Sequence, residues 1–136
     1  MSASVRLELT WEGDQRFSAR AGAAVVRLDG KGEAGPTPVQ ALAFGLAGCM
    51  AIDVVHILGK GRVPASGLRA RLEGERAGED PRRLVRVALH FEIEGDVPPD
   101  RVERAIALSR ERYCSVWHTM RPDVDLRTSY EIRASP

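Results

Sequence analysis

The sequence predicts an α+β fold in which antiparallel sheets surround one long buried helix. The longest apolar block, residues 35–60, has the end signals of a helix, and alternating segments typical of strands lie on both sides of it. Runs of strands followed by helices favour antiparallel sheets over a doubly wound parallel sheet. The chain of 136 residues has the size of one ordinary domain, so we predict a single domain over residues 1–136.

Three short strands are predicted before the helix. Residues 4–11 alternate between apolar and polar side chains, and weaker patterns of the same kind cover 15–20 and 23–29. Glycine-containing turns separate the three segments. We therefore expect an antiparallel meander of short hairpins.

The long helix has recognisable ends. Thr37 is a suitable N-cap, and Pro38 is tolerated at the first helical position, where its missing N–H had no partner. Lys60 and Gly61 are the cation and the glycine that a helix C-terminus favours. The pattern predicts a helix that ends at Lys60, with Cys49 near its middle.

Apolar residues cover almost every side of this helix, which is typical of a buried helix. The uninterrupted apolar run, residues 41–52, is shorter than the ~20 residues of a membrane span, and Gln40, Asp53 and His56 flank it. The rest of the chain supplies only short strands and one amphipathic helix as cover. We therefore expect a second subunit to cover part of the helix, as in obligate homodimers.

The second half of the chain predicts three more strands, over 68–75, 84–94 and 124–133. The middle strand alternates most cleanly. Its predicted inward side chains are Val85, Val87, Leu89, Phe91 and Ile93.

A second helix is predicted over 101–112, with Asp100 as its N-cap. A further short helix is expected to begin near Cys114. The narrower apolar stripe of the second helix consists of Val102, Ala105, Ile106 and Ser109.

Composition excludes several classes of protein. The chain is 43% hydrophobic and 29% charged, which is ordinary for a globular protein and too apolar for disorder. A net charge of +1 gives no reason to expect nucleic acid or an anionic membrane as a partner. We find no signal peptide, no phosphate-binding glycine loop and no serine-centred elbow. We therefore expect a cytoplasmic protein.

The two cysteines are the first candidates for chemistry, because thiols in a reducing compartment are more often catalytic or metal-binding than bridged. Cys49 could equally be a small buried apolar residue. Cys114, however, lies in a polar and aromatic cluster, RYCSVWHTM. Two thiols that meet in space would form a peroxidatic and resolving pair. The attacking sulfur would need a cation or hydrogen-bond donors to lower its pKa.

A metal site is the competing interpretation. Asp53 and His56 lie on the same helical face as Cys49, and His118 follows Cys114 by one helical turn. Two cysteines with one or two histidines could bind zinc, although neither cysteine belongs to a Cys-x-x-Cys pair. His56 is more simply a structural histidine. We predict that His90, on the outward face of its strand, is only solvated.

Three motifs in this order resemble the OsmC/Ohr family of thiol-dependent organic hydroperoxide reductases. They are VVRLDG at 25–30, GPTPVQALAFGLAGCMAIDVV at 35–55 and RYCSVWHTM at 112–120. The resemblance spans essentially the whole chain and is greatest to the OsmC-like branch. It implies an OsmC-like intertwined homodimer, with two long central helices between sheets and both active sites at the subunit interface.

The resemblance also implies the roles of particular residues. Cys49 matches the peroxidatic cysteine of the family and Cys114 its resolving cysteine. An arginine from the N-terminal strands holds the thiolate, and Arg16 is the best match, with Arg20 and Arg27 as alternatives.

The chain departs from the Ohr branch at one point. A glutamate near the start of the helix orients the arginine in that branch, whereas this chain has Val39 and Gln40 there. Gln40 and Asp53 are therefore candidate supporting residues.

The expected function is that of a cysteine peroxidase in oxidative-stress defence. It would reduce organic hydroperoxides with an external dithiol reductant and without haem, flavin or metal. The alternative, favoured by the missing glutamate, is a non-enzymatic small-ligand-binding or stress-response protein on the same fold.

Overall fold

The computed structural model describes residues 4–135 and confirms the α+β fold. In chain order the elements are β1 (Glu8–Trp11), β2 (Arg16–Ala21), β3 (Ala24–Asp29), α1 (Pro38–Lys60), β4 (Gly67–Arg76), β5 (Leu84–Glu94), α2 (Pro99–Leu108), one turn of π-helix (Ser109–Tyr113), α3 (Ser115–Thr119) and β6 (Asp125–Arg133).

The chain divides into two compact units, one up to Phe44 and one from Gly45. The prediction of a single domain over 1–136 stays a prediction.

The first unit contains the predicted antiparallel meander, with the strands in the order β1-β2-β3. β1 begins at Glu8, whereas the alternation predicted a strand from residue 4. The reason is that β2 turns into β3 after Ala21, so residues 4–7 have no partner strand. Apolar side chains of this unit that stay largely exposed are Val5, Leu7, Leu9, Trp11, Val25 and Val26.

Asp29 organises the loop between β3 and α1. Its side chain is buried, and its two carboxylate oxygens accept the backbone N–H groups of Lys31 and Ala34, each at 2.9 Å. The N–H of Ala34, followed by those of Lys31 and Glu33, lowers the pKa of Asp29, and the guanidinium of Arg16 adds to this effect. The loop geometry therefore depends on an ionised carboxylate, a role that the sequence pattern did not reveal.

Replacing Asp29 by asparagine should destabilise the chain at neutral pH, because the amide keeps only one acceptor oxygen and loses the charge. The pKa of Asp29 is lower in the folded chain than in the unfolded chain. Its stabilisation is therefore complete above the unfolded pKa of about 4 and disappears as the pH falls through the folded value. Urea unfolding at pH 7 and in acid should show the difference between Asp29→Asn and wild type shrinking in acid. Glu33→Gln removes another carboxylate of the same loop and is the matched control; equal behaviour of the two variants would contradict the prediction.

Helix α1 begins with a capping box. The N–H of Gln40 donates to Thr37 Oγ1 (3.2 Å), and the N–H of Thr37 donates to Gln40 Oε1 (3.0 Å). The predicted start and end of the helix are confirmed. The left-handed residue that follows the helix is Arg62 (φ 62°), whereas the sequence favoured Gly61 for that role.

Only one stripe of α1 is buried in the single chain. Leu46, Met50, Val54 and Leu58 recur at every fourth position and are at most 1% exposed. Ile52, in contrast, is 70% exposed. As expected, one chain does not cover the helix on all sides; the cover by a second subunit stays a prediction. The helix is long and apolar enough to cross a membrane, with mean hydropathy 2.0, but core helices of globular proteins pass the same test.

The second unit contains a mixed sheet in the order β4-β5-β6. β4 and β5 are antiparallel, but β6 runs parallel to β5, so the prediction of purely antiparallel sheets is wrong here. The segment from α2 through α3 crosses over and returns the chain to the starting end of β5, as parallel neighbours require. The predicted inward face of β5 is confirmed at the fully or almost fully buried residues Val87, Leu89, Phe91 and Ile93.

Helix α2 ends earlier than predicted. Its N-cap position is Pro98, without a side-chain cap, and Asp100 lies inside the first turn, so the prediction of Asp100 as N-cap is wrong. Residues 109–113 continue as a π-turn instead of an α-helix. The predicted stripe is confirmed, because Val102, Ala105, Ile106 and Ser109 are all buried.

Candidate functional site

The thiols of Cys49 and Cys114 meet inside the second unit. Cys49 lies on α1 and is partly exposed, whereas Cys114 is fully buried. Both cysteines are reduced, and the two thiols are close enough to influence each other's pKa. Two residues that are distant in sequence thus form a dithiol site.

The π-turn positions Cys114. The N–H of Cys114 donates to the carbonyl oxygen of Ser109 (2.8 Å), which closes the wide turn, and Cys114 itself is extended (φ −73°, ψ 96°). This change of direction makes Cys114 the N-cap of α3, and its sulfur accepts the N–H of Trp117 at 3.4 Å. π-turns are rare and are frequently found at functional sites.

The surroundings of Cys49 favour its thiolate. Burial raises the pKa of Cys49, but hydrogen bonds from the backbone N–H of Val116, the thiol of Cys114 and the hydroxyl of Ser115 outweigh it. Cys49 Sγ lies 3.9 Å from Ser115 Oγ. The net pKa of Cys49 is below that of an ordinary thiol.

The surroundings of Cys114 have the opposite effect. The pKa of Cys114 is raised to about 11, and burial is the largest cause. The interaction with Cys49 and the negative charge of Asp53 contribute to the increase, and the N–H of Trp117 offsets only part of it. Of the two sulfurs, Cys114 therefore keeps its proton and Cys49 loses its proton first.

Asp53 follows Cys49 by one helical turn and contacts the π-turn. Its Oδ2 accepts a hydrogen bond from the hydroxyl of Ser109 at 2.8 Å, and Ser109 is fully buried. A carboxylate on this face requires a partner, as expected, but the partner is a hydroxyl instead of an arginine or a helix N-terminus. The sequence pattern had placed Ser109 only in an apolar stripe.

The other predicted residues of the thiol site lie in the first unit. Arg16 on β2 lies opposite Asp29 on β3 in the register of the two strands. The Nε of Arg27 contacts Glu12 Oε1 at 3.0 Å. Gln40 is engaged in the capping box of α1. The roles of Arg16 and Gln40 toward the thiolate stay predictions.

Potential metal-ligating side chains also meet at a place away from the two cysteines. Within residues 4–135, one group of three metal-ligating side chains has its ligand atoms within 4.8 Å of one another: His90, Glu92 and Glu131. Arg71 contacts Glu92 at 2.9 Å, so an ion pair already compensates that carboxylate. The prediction that His90 is only solvated is wrong, because its Nδ1 lies 2.7 Å from Ser129 Oγ.

The donors to the two sulfurs could not be found from sequence motifs. They are backbone N–H groups of α3 and the hydroxyl of Ser115, and backbone groups leave no mark on residue identity. The one available signal was the serine directly after Cys114, at the start of a predicted short helix.

Known proteins resemble this chain along most of its length. The family model described as OsmC-like protein matches residues 29–129. Protein YhfA of Escherichia coli K12 is 38% identical over 112 residues, which cover 81% of this chain and 84% of YhfA.

Solved structures share the fold. A hypothetical protein from Aquifex aeolicus superposes with a TM-score of 0.92 at 25% identity, over 99% of this chain and 100% of that one. The organic hydroperoxide resistance protein OhrB of Bacillus subtilis superposes with a TM-score of 0.67 at 15% identity, over 95% and 98% of the two chains. The family match, the identity to YhfA and the shared fold together show that this chain belongs to the OsmC-like protein family.

Proposed function

We propose that the chain is a cysteine peroxidase that reduces organic hydroperoxides in oxidative-stress defence in the cytoplasm. The observation that carries the proposal is the contact between two reduced thiols of opposite protonation preference, Cys49 and Cys114. Membership of a family whose fold is shared by an organic hydroperoxide resistance protein supports it.

In the proposed reaction the Cys49 thiolate attacks the terminal oxygen of the hydroperoxide. The O–O bond breaks, the alcohol leaves after taking up a proton, and Cys49 becomes a sulfenic acid. The sulfur of Cys114 then attacks that of Cys49, the S–O bond breaks, and the proton of Cys114 leaves with the hydroxide as water. An external dithiol reduces the disulfide, so the cycle uses no bound cofactor.

The proposed roles of the remaining residues follow the family resemblance. Arg16 is the proposed cation that holds the thiolate, and Gln40 and Asp53 are proposed supporting residues. The hydrogen bonds that lower the pKa of Cys49 come from groups of its own unit and act in the same direction as a cation would.

We propose further that the protein is a homodimer with its active sites at the subunit interface. Large apolar side chains of α1 are exposed in the single chain, among them Phe44 at 69% and Ile52 at 70%. Several large apolar side chains left exposed on one helix are a reason to expect a covering partner. A second copy of α1 would cover it.

The test of the proposed activity is peroxide consumption by the purified protein with dithiothreitol as reductant. We expect turnover of cumene hydroperoxide and tert-butyl hydroperoxide, with slower turnover of hydrogen peroxide, because the site is built on an apolar helix. Failure to consume any of the three, with both thiols shown to be reduced, would rule the proposal out.

A second candidate is a non-enzymatic protein on the same fold that binds a small ligand. It is favoured by Gln40, which replaces the family glutamate and whose side-chain oxygen already accepts the N–H of Thr37. The two candidates differ in the reactivity of Cys49. Rapid labelling of Cys49 by iodoacetamide at neutral pH supports the peroxidase, whereas labelling at the rate of free cysteine supports the binding protein.

A further inference from the structure

Ser109, the first residue of the π-turn, is a buried polar residue to which the proposed reaction gives no role. Among the five residues of the π-turn it is the buried one, and it is fully enclosed. Its hydroxyl donates to Asp53 Oδ2 at 2.8 Å, and its carbonyl oxygen accepts the N–H of Cys114 at 2.8 Å. This one residue therefore links helix α1 to Cys114.

We propose that Asp53 and Ser109 are positioning residues that hold Cys114 within bonding reach of Cys49. The inference rests on the proposed function for its purpose, because it concerns the step in which the two sulfurs join. Asp53 follows Cys49 by four residues, which corresponds to about 6 Å along α1. Cys49 and the group that anchors the π-turn thus belong to the same helix, one turn apart.

The segment that leads to Cys114 is attached to α1 by this polar contact at its midpoint. Ile106, on α2, and Cys114 both belong to the hydrophobic core. Between them, Ser109 is the one residue that is buried, and the side chain that it contacts on α1 is the carboxylate of Asp53. A hydrogen bond therefore takes the place that an apolar side chain would have in ordinary core packing.

The contact has the geometry and the charge of a strong hydrogen bond. A separation of 2.8 Å is typical of an O–H···O bond, and a carboxylate acceptor strengthens it. The backbone N–H of Ser109 donates to the carbonyl oxygens of Ala105 and Ile106, so each polar group of Ser109 has a partner. Without the oxygen of Asp53 the enclosed hydroxyl would lose its partner, and we expect the turn to move to find another.

The inference is tested through the Cys49–Cys114 disulfide in a glutathione redox buffer, which needs no peroxide. The two thiols give two electrons and two protons to glutathione disulfide, which becomes two molecules of glutathione, and one S–S bond forms in the protein. The equilibrium constant of this exchange reports how well the fold presents the two sulfurs to each other. It is measured on the full chain at neutral pH, by acid quenching, alkylation and mass spectrometry.

Two substitutions of Asp53 isolate the hydrogen bond from the charge. Asp53→Asn and Asp53→Ala both remove the charge, but only asparagine keeps an oxygen that accepts from Ser109. We expect the constant of Asp53→Ala to lie about tenfold below that of Asp53→Asn, which corresponds to about 30 mV. Without the contact the π-turn of the reduced chain is free to move, and bond formation must first bring it back.

Ser109→Ala removes the donor of the same hydrogen bond and should lower the constant to a similar extent relative to wild type. The double variant with Asp53→Ala and Ser109→Ala should show no further decrease, because either substitution alone already breaks the contact. Ser129→Ala is the matched control: it removes a serine hydroxyl that lies 2.7 Å from His90 Nδ1, and it should leave the constant at the wild-type value.

The measurement separates positioning from stability. A hydrogen bond that only stabilised the fold would stabilise the reduced and the bridged chain alike. Its loss would then lower the free energy of unfolding and leave the equilibrium constant of the exchange unchanged.

Equal constants for Asp53→Asn and Asp53→Ala would overturn the inference, whether or not Ser109→Ala folds. A double variant whose decrease is the product of the two single decreases would overturn it as well. The expected pattern in a chain that consumes no peroxide would refute the proposed function and leave the positioning role intact. A chain that consumes peroxide while the two Asp53 variants have equal constants would do the reverse.

Discussion

Replacing Cys49 by serine should abolish the reduction of organic hydroperoxides. The hydroxyl of serine has almost the volume of the thiol, but it is not ionised near neutral pH and cannot form a sulfenic acid. We expect consumption of cumene hydroperoxide with dithiothreitol to fall to the rate measured without protein. Unchanged turnover in Cys49→Ser would exclude Cys49 as the peroxidatic residue.

Cys114→Ser is the matched variant, because it removes the other sulfur of the same pair. It should complete one turnover and stop at the sulfenic acid of Cys49, which dimedone would trap and mass spectrometry would detect. Dithiothreitol can reduce the sulfenic acid directly, so multiple turnover should be slowed and not abolished. An equal loss of the first turnover in both variants would contradict the assignment of separate roles.

Replacing Ile52 by arginine should dissociate the proposed dimer. Ile52 is 70% exposed in the single chain, so the substitution costs little within one subunit. At an apolar interface the new charge would be buried without a partner, which costs about 3–5 kcal/mol and weakens association by a factor of about 100 or more. Sedimentation equilibrium should give a dimer for wild type and a monomer for Ile52→Arg.

The control for this variant is Ala107→Arg, which adds the same charge to an exposed position of α2. It should leave the sedimentation behaviour of wild type unchanged. Because the active sites are proposed to lie at the interface, peroxide turnover should fall in Ile52→Arg and persist in Ala107→Arg. A wild-type protein that sediments as a monomer would refute the proposed dimer and with it the expected effect of Ile52→Arg.

The sequence was sufficient to predict elements with strong local signals. The ends of α1 followed from Thr37 and Lys60, and the inward face of β5 followed from strict alternation that ends at Ile93. Both signals are patterns of residue type that can be read within a short segment of the chain. Family membership was also predictable, because the motifs around Cys49 and Cys114 are specific when they occur together.

Features that depend on distant contacts could not be predicted in the same way. The direction of β6 depends on the path of the crossover, and the first residue of the π-turn, Ser109, contacts Asp53, which is distant in sequence. Gln40 looked available to an arginine, yet its oxygen serves the helix start. In each case the residue type permits several partners, and only the three-dimensional arrangement selects one.

The difference in burial between the two sulfurs has a consequence for the recovery of the oxidised protein. Cys114 is completely enclosed, whereas Cys49 is partly open to solvent. Once the two are bridged, an incoming thiol can approach only the sulfur of Cys49, so the mixed disulfide with the reductant would form there and Cys114 would be released as the leaving group. A reductant would therefore have to bring its sulfur to Cys49, the partly exposed member of the pair.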